Sequence, residues 1–196
     1  MLSASEKINA MDRQEINEKR SVPKLFLCFW MYAVLGWCYE VFLEVVVYRW
    51  GFSNRGVLFG PYCPVYGVGA LCFLLCFGKL MRKKDVRWLN IAKPFLIFLG
   101  CMAVATLIEL IASYILEAAT GKWPWQTYAD YKYNFQARIA LSTSIRFGLG
   151  GTAFMYIVQP LFDKLLSRPS RKTLNYIAAA VLVIVAADVI YTFFIK

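Results

Sequence analysis

Five long apolar stretches constrain what this chain can fold into more than any other feature of its sequence. They lie at residues 24–48, 62–81, 94–118, 138–162 and 174–195. A helix of about twenty residues crosses the ~30 Å hydrocarbon layer of a bilayer, because each residue adds ~1.5 Å. Backbone N–H and C=O groups find no water inside lipid, so segments that span it must be helical. We therefore predict an all-α integral membrane protein with about five transmembrane helices.

The overall composition agrees with a membrane protein and suggests the domain organisation. Of the 196 residues, 60% are hydrophobic and 17% are charged, whereas a soluble domain usually carries about a quarter charged residues. Residues 1–23 are polar and are not followed by the short apolar core and cleavage site of a signal peptide. We predict a polar cytoplasmic N-terminal segment at 1–23 and a single transmembrane domain at 24–196.

The positive charge predicts the orientation of the helices. The formal net charge is +10, and two short loops hold much of the surplus: Arg82, Lys83, Lys84, Arg87 and Lys93 in the first, and Lys164, Arg168, Arg171 and Lys172 in the second. An excess of Lys and Arg in short loops marks the cytoplasmic side. The N-terminus is then cytoplasmic and the C-terminus outside, with residues 50–61 and 119–137 on the outer face. Topology and anionic lipid headgroups account for this charge better than a nucleic-acid partner does.

The cysteines are better explained by hydrophobic packing than by metal binding or disulfide formation. The chain has six cysteines and no histidine, and the cysteines fall mainly within the apolar stretches, where a free thiol behaves as a small hydrophobic group. We therefore predict no metal site, no cofactor and no disulfide framework.

Ionisable residues within the apolar stretches are the strongest functional signal. Such groups are costly at membrane depth and usually face a bundle interior or a wet cavity with a partner. Spacings of four residues place several of them on one helix face, and four of the five helices carry one at a similar depth in the outer half. We predict a solute- or proton-binding set of Glu40, Glu109, Arg146, Asp188, Arg138 and Arg55. The alternative interpretation is a set of ion pairs that fixes the helix registry.

The two outer segments are predicted to shape the mouth of this site. Residues 54–71, "NRGVLFGPYCPVYGVGAL", should run extended to Pro64 and then begin a helix, in which Gly67 and Gly69 allow close helix approach. We interpret this stretch as a packed outer loop rich in Gly, Pro and aromatic residues, with Arg55 directed toward the acidic layer. The predicted mouth and loop residues are Trp37, Glu44, Asn54, Gly60, Pro61, Tyr62, Pro64, Tyr66, Trp125, Tyr128 and Asn134.

Three motifs in residues 25–165 resemble the ABC-transporter type IV (CmpB-like) permease family. They are Gly36-Trp37-x-x-Glu40, the segment 54–71, and Asn134-x-x-x-Arg138-Ile139. The family's second outer motif contains Trp-Asp-Tyr and Asn-x-x-Gly, whereas this chain has "WQTY" at 125–128 and Ala137 at the glycine position. The resemblance implies a multi-pass protein of the bacterial cytoplasmic membrane that acts as a transporter permease. The chain contains no GxxxxGK[ST] loop, so it is not the ATPase subunit.

These observations favour a small bacterial membrane transporter or permease-like solute-binding subunit with an outward-facing polar pocket. The expected partners are the lipid bilayer, a small solute, and either further copies of the chain or a separate transporter subunit. One alternative is a structural or regulatory membrane scaffold, in which the charges only hold the fold together. Another is a lipid-facing membrane enzyme, for which the sequence offers a Glu–Arg pair as proton shuttle but no convincing nucleophile.

Overall fold

The computed structural model describes residues 21–82 and 86–195 of the chain. Most of the predicted polar segment at 1–23 therefore lies outside the described residues, as do Lys83 and Lys84 of the first basic loop. The chain divides into two compact units. Unit 1 comprises Met1–Val68 and Leu161–Lys196, and unit 2 comprises Gly69–Pro160. The single transmembrane domain at 24–196 stays a prediction.

Five helices make up most of the described chain, which confirms the predicted all-α class. Helix α1 is Val22–Phe42, continued by the π-helical turn Leu43–Val47; α2 is Pro64–Arg82; α3 is Arg87–Thr120; α4 runs from Leu141–Ala153 through the π-helical turn Phe154–Val158 into Gln159–Ser167; and α5 is Arg171–Ile190, extended by the π-helical turn Tyr191–Ile195. Between α3 and α4 lie a 3₁₀ turn, Gln126–Asp130, and two short antiparallel strands, β1 at Asn134–Phe135 and β2 at Ile139–Ala140.

Within the described residues, four segments are long and apolar enough to cross a membrane: Val22–Val47, Pro64–Met81, Arg87–Thr120 and Arg171–Ile195. Helix α4 occupies the position of the span predicted at 138–162 but is less apolar than the others. Its first half combines Ser, Thr and Gly residues with Arg146, which lowers its hydropathy. The orientation with the N-terminus inside stays a prediction.

The start of α2 and the end of α3 follow local sequence signals, whereas the start of α3 does not. Pro64 is the first residue of α2, where its missing N–H leaves no helical bond unmade. Gly121 ends α3 in the left-handed conformation, with φ 76°, and its N–H donates to the carbonyl of Glu117 at 2.8 Å. Helix α3 nevertheless begins at Arg87, upstream of the predicted start at Pro94. A single internal proline removes one backbone hydrogen bond, and an otherwise strong helix absorbs that loss.

In unit 1, α1 packs against α5 and against the loop that leads into α2. One buried cluster there consists of Ala33, Leu58 and Tyr62, surrounded by the half-buried residues Trp30, Val185 and Val189. The start of α2 approaches α1 closely, because a Cβ at Gly67 would lie 2.7 Å from the carbonyl oxygen of Phe29. The predicted close approach therefore holds at Gly67 and fails at Gly69, where an added Cβ meets no described atom within 4 Å.

In unit 2, α3 and α4 pack along each other over the core residues Phe73, Ile97, Cys101 and Met155. Glycines on α4 make this contact close. A Cβ at Gly148 would lie 2.8 Å from the ring of Phe98. A Cβ at Gly151 would lie 2.7 Å from the Cβ atom of Cys101. Small residues at a helix interface let the backbones approach, which is a common packing mode in membranes.

Candidate functional site

In unit 1, the carboxylate of Asp188 holds the loop that leads into α2 against α5. Its two oxygens accept hydrogen bonds from the backbone N–H groups of Phe59, at 3.1 Å, and Gly60, at 2.9 Å. The hydroxyls of Thr192, at 3.0 Å, and of Tyr62 also donate to this carboxylate. Burial and the bond to Asp188 both raise the pKa of the Tyr62 hydroxyl, so that it remains a donor. Four hydrogen bonds from within unit 1 therefore satisfy the Asp188 carboxylate.

Glu40 pairs with a tyrosine of α2. The Tyr66 hydroxyl donates to the Glu40 carboxylate, and the Tyr66 ring lies directly over Gly36, one turn before Glu40 on α1. A Cβ at Gly36 would overlap the ring atoms nearest the Tyr66 backbone. The missing side chain at Gly36 therefore lets the tyrosine reach the glutamate.

Glu44, in the π-helical turn that ends α1, binds the loop residues that follow it. The Arg55 Nε and Nη2 atoms each lie 3.0 Å from a different Glu44 oxygen, which is a bidentate ion pair. The Ser53 hydroxyl donates to the same carboxylate at 2.7 Å. Arg55, predicted to face the acidic layer, is thus occupied by Glu44, and Ser53 is a partner that sequence reasoning missed.

Asn54 contributes further hydrogen bonds to the loop that leads into α2. Its Oδ1 accepts from the Trp37 indole N–H at 2.7 Å, and its Nδ2 donates to the carbonyl of Phe59 at 2.8 Å. Next to this loop, the Cys63 backbone N–H donates to the carbonyl of Ala33 at 2.8 Å. Burial raises the pKa of the Cys63 thiol to about 11. Pro61 is exposed at the loop surface, and Pro64 starts α2. Trp37, Asn54 and Gly60 therefore belong to one hydrogen-bonded loop region of unit 1, whereas the predicted mouth residues Trp125, Tyr128 and Asn134 lie in unit 2.

In unit 2, Glu109 of α3 is held on one side only. The Tyr128 hydroxyl donates to Glu109 Oε1 at 2.8 Å, and burial together with the Glu109 charge raises the pKa of Tyr128. The other carboxylate oxygen, Oε2, is buried and has no hydrogen-bond partner within the described part of the chain. Buried polar atoms are nearly always satisfied, so this oxygen needs an explanation.

The Arg138 side chain packs against the face of α3 that carries Ser113 and Glu117, and Glu109 lies on the same helix face. Arg138 is only 7% exposed. The Nη2 atom donates to Glu117 Oε2 at 2.5 Å, and the Nη1 atom donates to the Ser113 hydroxyl at 3.4 Å. The Nε atom is buried and, among the residues described, unpartnered.

Two aromatic rings cover the faces of the Arg138 guanidinium. Its central carbon lies 4.0 Å from the centroid of the Tyr114 ring and 4.1 Å from that of the Trp123 ring. Both contacts are cation–π interactions, so only the edge of the guanidinium remains for hydrogen bonding. Tyr114 was not predicted. Its position three residues before Glu117 on the same helix is the sequence signal that could have indicated it.

A tight hairpin positions Arg138 on α3. β1 and β2 pair in the register Asn134↔Ala140, and the turn between them holds Gln136 and Ala137 at φ 52° and 54°. The Asn134 side chain accepts from the Ala137 N–H at 3.1 Å and donates to the carbonyl of Tyr131 at 2.8 Å.

Two indole groups fasten this hairpin. Trp123 donates to the carbonyl of Ala137 at 3.0 Å, and Trp125 donates to that of Arg138 at 2.8 Å. Two aromatic residues of the segment between α3 and α4 therefore support the arginine that follows them.

The predicted binding residues fall into separate bonded groups. Unit 1 contains Glu40, Arg55 and Asp188, each with a partner inside that unit, and unit 2 contains Glu109 and Arg138. Arg146 lies on an exposed side of α4, where its Nε donates to the carbonyl of Ser142 at 3.3 Å. One layer that joins acids and arginines from four helices stays a prediction. No group of three or more Cys, Asp or Glu side chains within residues 21–82 and 86–195 could hold a metal ion.

Comparison with known proteins agrees with the motifs. No curated protein and no solved structure shows a significant match to the chain. Residues 27–193 match the family described as putative ABC-transporter type IV, which confirms the resemblance and extends it beyond residue 165. Because this match covers most of the chain, the protein belongs to the putative ABC-transporter type IV family.

Proposed function

We propose that this protein is a small transporter or permease-like solute-binding subunit of the bacterial cytoplasmic membrane, and that Glu109 binds its solute or a proton. The family and the four apolar helices support a transport-related membrane protein. The observation that carries the assignment to Glu109 is its buried Oε2 atom, which has no hydrogen-bond partner among the residues that the structure describes. An ionisable side chain at membrane depth is a functional candidate when its own fold leaves it unsatisfied.

The other acids are better explained as structural groups. Asp188 accepts two backbone and two hydroxyl hydrogen bonds, Glu44 is paired with Arg55, and Glu117 is paired with Arg138. Removing one of these carboxylates would leave donors unsatisfied and destabilise the fold. Glu109 differs, because a neutral amide there could still accept the single bond from Tyr128 through its oxygen.

The test is uptake into proteoliposomes that contain the full chain. The vesicles are incubated with an isotope-labelled mixture of small metabolites, and the accumulated compounds are measured by mass spectrometry. We expect at least one compound to accumulate with the wild type and not with Glu109→Gln, although both proteins purify in the same folded yield. Asp130→Asn is the matched control, since Asp130 is an exposed acid of the neighbouring turn.

A scaffold function is the second candidate, and the full hydrogen bonding of Asp188 and Glu44 favours it. In that case Glu109→Gln would lower the folded yield, and no compound would accumulate in a Glu109-dependent manner. Equal uptake by the wild type, Glu109→Gln and the empty vesicles would reject the transport proposal.

A further inference from the structure

The two oxygens of the Glu109 carboxyl group have different surroundings. The Tyr128 hydroxyl donates to Oε1 at 2.8 Å, whereas Oε2 is buried and has no hydrogen-bond partner within the described part of the chain. Burial is the largest cause that raises the pKa of the Tyr128 hydroxyl, so this hydroxyl keeps its proton and donates whether Glu109 is charged or neutral. The bond to Oε1 is therefore compatible with both states, and the state of Glu109 must be inferred from Oε2.

The hydroxyl groups next to Glu109 on α3 donate elsewhere. Thr106 and Ser113 lie three residues before and four residues after Glu109, on the same helix face. The Thr106 hydroxyl donates to the carbonyl of Met102 at 2.7 Å, and the Ser113 hydroxyl donates to that of Leu110 at 2.7 Å. A hydroxyl group has a single hydrogen to donate, so neither of these groups serves Oε2.

The positive charges on the elements around Glu109 are also engaged elsewhere. Arg138, from the hairpin, pairs with Glu117 at 2.5 Å. Arg146, on α4, lies on an exposed side of that helix and donates to a carbonyl of its own helix at 3.3 Å. Glu109 makes no ion pair within 4 Å among the residues described. A carboxylate with one hydrogen bond and no cation is costly to bury, whereas a neutral carboxyl group keeps the same bond at a much lower cost.

The burial of Oε2 also decides between a solute and a proton. The protein itself covers this oxygen, so a solute of several atoms has no surface of Oε2 to contact in this conformation. A proton bound to Oε2 needs no such surface and removes the charge that the surroundings leave unbalanced.

We propose that Glu109 carries a proton on Oε2 in this conformation, and that it is a proton-binding group rather than a solute-binding one. One proton from water joins the carboxylate and gives a neutral carboxyl group, in which Oε1 is the carbonyl oxygen and accepts from Tyr128. Loss of the same proton returns the carboxylate. The inference rests on the proposed function and specifies a proton as what Glu109 binds, which makes the proposed transport proton-coupled.

The test is infrared spectroscopy of the full chain in lipid vesicles at neutral pH. A protonated carboxyl group has a C=O stretching band that is separate from the bands of a carboxylate and moves to lower frequency in heavy water. We expect the wild-type spectrum minus that of Glu109→Gln to contain one such band. Asp130→Asn is the matched control, because Asp130 is exposed and its difference spectrum should contain carboxylate bands only. A wild type without a Glu109-dependent band of this kind would overturn the inference.

A second variant locates the proton within the carboxyl group. Tyr128→Phe removes the hydroxyl that donates to Oε1, and a C=O group that loses a hydrogen bond stretches at higher frequency. We expect the Glu109 band to persist in Tyr128→Phe and to move to higher frequency. The control is Tyr131→Phe, since the Tyr131 ring stacks on that of Tyr128 with centroids 5.3 Å apart and its substitution should leave the band in place. A merely structural role of Tyr128 would lower the Tm without moving the band, and that result would overturn the assignment of the proton to Oε2.

Isotope labelling keeps the test valid if Glu109→Gln does not fold. Wild-type protein that contains glutamate labelled with ¹³C at the side-chain carboxyl carbon should show the same band at lower frequency, and Tyr128→Phe should move the labelled band as well. A protonated band that does not respond to this label would overturn the inference, because it would not come from a glutamate.

The results also separate this inference from the proposed function. Glu109-dependent uptake of a compound, without the protonated band, would overturn the inference alone and support Glu109 as a solute-binding group. The protonated band without Glu109-dependent uptake would overturn the proposed function and leave a protonated, structural carboxyl group. The absence of both would overturn both.

Discussion

Replacing Ala137 with glycine should stabilise this protein, although glycine usually weakens a fold. Ala137 lies in the hairpin turn just before Arg138 with φ 54°, in the left-handed region that residues with a Cβ rarely adopt. The Asn134 side chain, which accepts from the Ala137 N–H at 3.1 Å, holds it there. The related family motif has glycine at this position. The turn therefore contains a local strain that the substitution relieves without removing a hydrogen bond.

The expected change in the free energy of unfolding is the difference between a conformational cost that alanine has in the turn and an entropy cost that glycine has on folding. The left-handed conformation costs a residue with a Cβ roughly 1–2 kcal/mol, whereas glycine loses roughly 0.5–1 kcal/mol more than alanine when its freer unfolded chain is ordered. We expect Ala137→Gly to raise the free energy of unfolding by about 0.5–1 kcal/mol. For a chain of this length, that corresponds to a Tm increase of about 1–4 °C.

The assay is SDS-induced unfolding of the full chain in mixed micelles, followed by tryptophan fluorescence, in which Trp123 and Trp125 report on the hairpin. The matched control is Ala179→Gly at an exposed position within α5, where glycine should lower the free energy of unfolding by about 1 kcal/mol. If Ala137→Gly destabilises the protein as much as Ala179→Gly does, the turn does not hold Ala137 in the left-handed region and the reasoning is refuted.

Two further predictions concern unit 1 and the start of α2. Gly36→Ala should destabilise the protein by about 1–3 kcal/mol in the same assay, because the added Cβ displaces the Tyr66 ring. The control is Gly69→Ala, whose added Cβ meets no described atom within 4 Å and which should be neutral or stabilising. Equal effects of the two substitutions would contradict the packing of Tyr66 against Gly36. Cys63 should resist alkylation near pH 8 and react only as the pH approaches about 11, since the thiolate is the reactive form and burial raises the pKa of this thiol. Peptide mapping measures this labelling, with SDS-unfolded protein as the control, and rapid labelling of folded protein at pH 8 would show that Cys63 is not buried.

The apolar stretches predicted the helices well because the signal is local. Length and hydropathy alone indicate which segments are long and apolar enough to cross a bilayer, and Pro64 and Gly121 each mark a helix end through their own backbone preferences. Helix spacing likewise placed Glu40 and Glu44 on one face of α1, and Glu109 and Glu117 on one face of α3. These features depend on neighbours within about one helical turn, so the sequence by itself determined them.

The partner of each charged side chain depended on tertiary structure. Asp188 accepts from the backbone amides of Phe59 and Gly60, which are 128 or more residues away in the chain, and no local pattern predicts which loop reaches it. Arg138 and Arg55 have the same side chain and each lies in a segment between two helices, yet Arg138 lies buried between two rings while Arg55 pairs with Glu44 at a partly exposed site. Periodicity determines which helix face a residue occupies. Only the path of the whole chain decides what covers that face, and therefore which atom is left without a partner among the described residues, as Glu109 Oε2 is.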